Sequence, residues 1–282
     1  VNLFERCEAL TEVTWDSPVG QIPEHMFTDC TALKTFDIPE TVTSVGFCAF
    51  YGCSALTKVT GGQNVERLGD YTFYQCSALK EIAISPVLTT IGLKAFQECT
   101  ALTAMVLPDS ISGIGAYAFD GCAALREVQL GSGLTAIPDR AFSNCGALES
   151  IILPYHVRTI GSNAFLNDVK LTAVTIPRGT TQIAENAFSY PARLTICGVS
   201  GSYAETYADQ IGAAFVAISK PATAVSLRKT ELQLGRNASE RLVVTITPAD
   251  FTDEVTWTSS DPGVAVVNDT GLVQAIGVGQ CT

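Results

Sequence analysis

Ten cysteines and two histidines are the side chains of this 282-residue sequence best fitted for metal or nucleophilic chemistry. Seven of the cysteines recur every 23 residues, at Cys7, Cys30, Cys53, Cys76, Cys99, Cys122 and Cys145. One thiol per repeat does not gather the four ligands of a tetrahedral metal site. Equivalent side chains on neighbouring repeats also point the same way, which suits a disulfide poorly. The column reads as a buried ladder of thiols packing as small hydrophobes. Cys48, Cys197 and Cys281 lie outside it and are expected to be the more exposed or pairing thiols. His25 and His156 fall in different repeats and at different repeat positions, so both read as solvent-facing variable residues. No Gly-x-Ser-x-Gly, Walker-type or dinucleotide loop occurs, and the glycines mark turns. Asn237-Ala238-Ser239 and Asn268-Asp269-Thr270 match glycosylation sequons, triplets that arise by chance. The expectation is no catalytic residue, no metal, no cofactor and no enzyme.

What must position any functional residue is the repeat itself. Phenylalanine stands at 4, 27, 50, 73, 96, 119, 142, 165 and 188, always 23 residues apart. A fixed period of this length marks a solenoid or related array. Six residues after each Phe comes leucine, from Leu10 to Leu194 without exception. Nine after it comes Val13, Phe36, Val59, Ile82, Met105, Val128, Ile151 or Val174. Leu79-Lys80-Glu81-Ile82-Ala83-Ile84 ends with the alternation of a strand. Pro39, Pro108, Pro154 and Pro177 stop that strand, because proline cannot donate to the ladder. A second apolar residue such as Ile91 precedes a turn at Gly or Pro. Lys94 to Cys99 then holds helix formers without a β-branched residue, which predicts a short helical turn. Each unit is thus one coil, and stacking puts the strands side by side as a parallel sheet. No coil buries its own apolar columns, so each depends on the next. Phe27, Phe50, Phe73, Phe96, Phe119, Phe142, Phe165 and Phe188 form the expected structural ladder.

The pattern apolar-x-x-apolar-x-apolar-Pro followed by Ile-Gly-x-x-Ala-Phe-x-x-Cys resembles the BspA-like bacterial leucine-rich repeat over residues 1 to about 196. That resemblance implies a bacterial surface or secreted protein and a role in adhesion to host or bacterial partners.

The repeat decays after Phe188, and Ser202-Tyr203-Ala204-Glu205 reads as a capping box opening a helix over about 203–211, closed by Gly212. Tyr203, Ala204, Tyr207, Ala208 and Ile211 share one face and would cover the last coil. Solenoid and cap together span 1–219. Lys220-Pro221-Ala222-Thr223 is a linker, and 220–282 reads as a small all-β sandwich. Strands are expected at 225–227, 231–234, 242–246, 255–258, 264–267 and 272–275. Thr247-Pro248, Trp257-Thr258-Ser259-Ser260-Asp261-Pro262 and Asn268-Asp269-Thr270-Gly271-Leu272-Val273 resemble the bacterial Ig-like group 2 domain, a spacer module in surface proteins. That family's closing strand is expected to run past Thr282.

A formal net charge of -11 argues against nucleic acid and anionic lipid as partners. Val1-Asn2-Leu3-Phe4 has neither the basic start nor the apolar run of a signal peptide. The longest apolar run, 213–218, is far short of the ~18–20 residues that cross a bilayer. The resemblance to the surface-protein repeat implies partners among host or bacterial surface proteins or glycans. The positions eight and ten after each Phe alternate with buried columns and must face the open side of the sheet. Among them Ala83, Ala104, Val106, Ile152 and Ala173 form a modest apolar strip, with Glu81, Glu127 and Gln129 at its rim. This strip is the candidate ligand patch. Purely structural display of other domains is the alternative. A carbohydrate-binding accessory would need aromatics stacked along one face, and Trp15 and Trp257 are isolated in the sequence.

Overall fold

The computed structural model describes residues 3–219, 222–227, 229–247, 255–268 and 271–282. Lys220 and Pro221 of the linker, and Pro248, Asp269 and Thr270 of the Ig-like signature, lie outside these residues.

The nine phenylalanines form one pillar. Successive rings from Phe4 to Phe188 stack with centroids 4.9–5.6 Å apart and planes within 19° of each other. Around the pillar the chain makes two parallel ladders, not one. The first runs through Thr35–Ile38, Lys58–Gly61 and Glu81–Ile82, and resumes at Ala104–Val106 with Glu127–Gln129. It continues through Ser150–Ile152, Ala173–Thr175, Thr195–Gly198 and Ala214–Ala217. The second ladder joins the two-residue strands that carry the later apolar column, such as Ser44–Val45, Arg67–Leu68 and Thr90–Ile91. Partners are spaced by the sequence period, as in Thr35↔Lys58 and Thr90↔Gly113. Only the last coils slip: Val174 pairs with Ile196, which takes the buried place and leaves Cys197 half-buried.

The predicted helical turn is replaced by a different backbone. Lys94 and Glu98 are left-handed, at φ 54° and 63°. Between them the amides alternate in direction. Ala95, Gln97 and Cys99 N–H donate three residues back within the coil, while Lys94, Phe96 and Glu98 N–H donate to Ala116, Ala118 and Asp120 of the next coil. A helix would have spent every amide locally. The stack takes half of them across coils, and this tertiary gain overrides the helix propensity of the segment. The coils also sit very close. A Cβ placed on Gly115 would stand 2.4 Å from Leu93 N and 2.5 Å from Gly92 C, so a side chain there would push the coils apart.

The cysteine column is buried as expected from Cys30 to Cys145, where each thiol also has a partner, while Cys7 in the first coil is half-buried. Cys53, Cys76, Cys99 and Cys122 donate to the carbonyls of Phe27, Phe50, Phe73 and Phe96 in the preceding coil, at 3.1–3.2 Å. All ten cysteines are free thiols. Cys48, expected to be exposed or pairing, is instead 7% exposed and lies in the core.

The cap helix runs Tyr203–Ile211 and ends at Gly212, whose φ of 72° suits a residue without a side chain. Its capping box forms only in part. The Ser202 hydroxyl makes no cap bond and is buried, while Glu205 reaches one residue further back and accepts the Gly201 N–H at 2.6 Å. Ala204, Tyr207 and Ala208 are buried, and Tyr203 lies at the edge with 36% exposure. Tyr207 closes the pillar: its ring lies 6.2 Å from Phe188, and its hydroxyl donates to Ala184 O.

Beyond the linker the pairing turns antiparallel. Ala224–Leu227 pairs with Val244–Thr247, and Leu272–Ala275 pairs with both Ser239–Arg241 and Ala265–Val267. Residues 231–234 and 255–258, expected as strands, are irregular.

Candidate recognition surface

Strand alternation decides which side chains the first ladder offers. Met105, Ile151 and Val174 turn into the core, while Ala104, Val106, Ser150 and Ile152 turn outward. Val106 is 59% exposed and Ile152 45%. Gln129 pairs with Val106 across the ladder, and Glu127 pairs with Ala104, so the strip and its polar rim are neighbours in space. Ala83 and Glu81 are exposed, while Ala173 is half-buried. The Glu81 carboxylate is 2.8 Å from the Lys58 ammonium, which holds its pKa below the usual carboxylate value.

The structure divides the predicted patch in two. Ala104, Val106, Glu127, Gln129 and Ile152 line one cleft of about 550 Å³; Ala83, Glu81 and Ala173 lie outside it. The cleft has a wall that no repeat column signals: Val244, Thr245 and Ile246 of the C-terminal unit, facing Tyr155 and His156 of the solenoid. Thr245 Oγ1 donates to Asp109 Oδ2 at 2.9 Å, and Tyr155 OH donates to Val255 O at 3.2 Å. Val244 and Ile246 are buried, with Tyr155 and Trp257 packed against them. These contacts join residues about a hundred or more positions apart, so no local pattern in the sequence announces them.

His156 corrects the sequence expectation. It is 1% exposed rather than solvent-facing, and its Nδ1 lies 2.8 Å from Ser132 O. His25 is half-buried, with its ring edge-on to Phe47 at 5.1 Å. Neither histidine lies in a metal-binding group: among the described residues no set of three or more His, Cys, Asp or Glu is placed to hold an ion.

Burial shapes the titrating groups. It pushes the Cys30 thiol up to about 12 and the Cys48 thiol up to about 11, and it raises Cys76, Cys99, Cys122 and Cys145 as well. These thiols stay protonated at neutral pH, the wrong state for a nucleophile or a metal ligand. Asp168 stands where the column would place another cysteine. Burial raises its carboxyl to about 8, against the bond that Oδ1 accepts from the Cys145 N–H at 2.8 Å. What the surface offers is a set of contacts. No helix among the described residues is long and apolar enough to cross a membrane.

Known proteins share this architecture. A leucine-rich repeat protein from Bacteroides ovatus is 25% identical, covers 74% of this chain and 63% of its own, and superposes with a TM-score of 0.55. The leucine-rich repeat protein of T. pallidum is 28% identical with a TM-score of 0.51, over 55% of this chain and 73% of its own. An uncharacterised Clostridium acetobutylicum protein is 36% identical over 83 residues, which make up 29% of this chain and 8% of that protein. The chain thus spans a small part of that curated relative. The model of the BspA type leucine rich repeat region matches residues 1–102 and 89–204, and that of the bacterial Ig-like domain (group 2) matches 221–282. The chain therefore belongs to the BspA-type leucine-rich repeat family and carries a bacterial Ig-like domain behind its repeats.

Proposed function

We propose that this chain is a non-catalytic recognition scaffold of a bacterial surface or secreted protein, adhering to a host or bacterial protein through the sheet face of its solenoid. The observation that carries this reading is the pair of exposed branched side chains, Val106 and Ile152, flanking Gln129 beside the cleft. Apolar residues that a sheet does not need to bury, rimmed by Glu127 and Gln129, have the composition of an interaction patch. Ala83, Glu81 and Ala173 extend the same face beyond the cleft. The Ig-like unit bounds one side of the patch and acts as spacer. Family membership supports a surface setting.

The test compares the parent chain with the Val106→Lys/Ile152→Lys variant against a panel of purified extracellular matrix proteins, by biolayer interferometry. Both substitutions lie on the exposed face, so the melting temperature should move little. The expected result is at least one saturable partner whose affinity falls tenfold or more in the variant, as for residues at the centre of an interface. Equal binding by both chains would remove the sheet face from the function and leave the scaffold as a stalk for other domains.

A further inference from the structure

We propose that the Ig-like unit is a latched lid. It folds back over the sheet face of its own solenoid, is held there by Tyr155 and Thr245, and must swing away before a folded partner can cover the strip. The regulatory consequence rests on the sheet-face reading above; the latch itself does not.

The path of the chain carries the first part. The chain leaves the solenoid at the last rung, Ala214–Ala217. A spacer would continue outward from there. Instead Thr245 Oγ1 donates to Asp109 Oδ2, and Asp109 follows the strand Ala104–Val106, five rungs back or roughly 24 Å at sheet spacing. Tyr155 OH donates to Val255 O just beyond the rung Ser150–Ile152. The unit therefore lies alongside the coils that carry Val106 and Ile152.

Tyr155 is placed for this contact. Thirteen residues after each Phe the sequence reads Ser17, Glu40, Gln63, Pro86, Asp109, Ser132, Tyr155 and Arg178. A position that other coils fill with serine, proline or a polar side chain needs no ring for packing within the coil. The Tyr155 ring packs instead against Val244 and Ile246, the buried pair of the C-terminal unit, and Trp257 joins the same cluster. On the solenoid side the Arg158 guanidinium lies 5.6 Å from the ring centre and donates to Tyr155 O at 3.0 Å, which fixes the segment that presents the ring.

The junction is also shallow. Beside these contacts lies the cleft of about 550 Å³, a gap that a fully packed interface does not leave. Units of one chain that touch over a limited area move relative to one another. In the closed form Val244, Thr245 and Ile246 wall the strip on one side. A stable protein interface takes about 800 Å² from each partner. A folded partner that covers such an area around Val106 and Ile152 collides with the wall, so it engages the open form.

The experiment compares the full chain with its Tyr155→Ser/Thr245→Ala variant by small-angle X-ray scattering and hydroxyl-radical footprinting. Serine holds the Tyr155 position in two other coils, and Thr245 is exposed, so the melting temperature should stay close to that of the parent. The parent is expected to be compact. The variant should gain about 10 Å or more in maximum dimension, the radius of gyration of a unit of ~60 residues. Oxidation of Leu130 and Ile152, which line the cleft, should rise by half or more, with the exposed Val169 outside the cleft as an unchanged control. A parent already as extended as the variant would overturn the latch, and its own curve decides this without any substitution. A folded variant as compact as the parent would overturn it too. Extension without a rise at Leu130 and Ile152 would overturn the lid. A matrix protein bound through Val106 and Ile152 should bind the variant severalfold more tightly, because the closed fraction no longer has to open. Equal or weaker affinity would also overturn the lid. Binding of no matrix protein by either chain would sink the sheet-face reading, while scattering and footprinting would still decide the latch.

Discussion

Asp168 carries the most informative single-residue departure from the repeat. Its Oδ1 accepts one bond, from Cys145 N–H, while its buried Oδ2 has no hydrogen-bond partner. With the folded carboxyl raised to about 8 from an ordinary value of 3.8, the folded chain holds a proton that the unfolded chain has released throughout that window. Asp168 therefore favours folding most at acid pH; its contribution falls as pH rises from about 4 to 8 and is flat above. Asp168→Asn keeps the acceptor and removes the charge. It is expected to match the parent near pH 4 and to exceed its stability at pH 8 by on the order of 1–3 kcal/mol, read from urea melts at both values. A parent whose stability relative to the variant does not change with pH would place the carboxyl in water. The depth of His156 was not legible in the sequence: its column elsewhere holds exposed residues such as Thr41 and Asn64.

The coil is the element of this protein, and most of its anatomy was legible. Phe and Leu recur in every coil, and Cys in all up to Cys145, because each must fill the same slot between two neighbours, and packing at that density tolerates few sizes. The turn was misread for a physical reason: Lys94 to Cys99 has good local helix propensity, while every second one of its amides bonds to the next coil. The second ladder was legible only as an apolar column, since strands of two residues leave no alternation to read. Phe96, fully buried between Phe73 and Phe119, gives the element its test. Phe96→Ala is expected to cost ~3–5 kcal/mol in denaturant unfolding, through lost transfer energy and the cavity left behind. A cost below about 1 kcal/mol would mean that the neighbouring rings close the gap or that the pillar is not what holds the coils.

At the scale of the whole molecule, the repeat specifies a scaffold and leaves its use to the outward positions. The strip of Ala104, Val106 and Ile152 was readable from strand parity, which fixes the face each residue shows. The cleft beside it was not, because Thr245–Asp109 and Tyr155–Val255 join distant segments with no shared period. An array of this kind offers two long faces, sheet and turn edge, and the central claim is that protein recognition belongs to the sheet. The most direct measurement places a photo-crosslinking residue at position 106, 152 or 98 and exposes each chain to the same bound matrix protein. Crosslinks from 106 and 152, with none from 98 on the turn edge, are the predicted result. Crosslinking from 98 alone would contradict it.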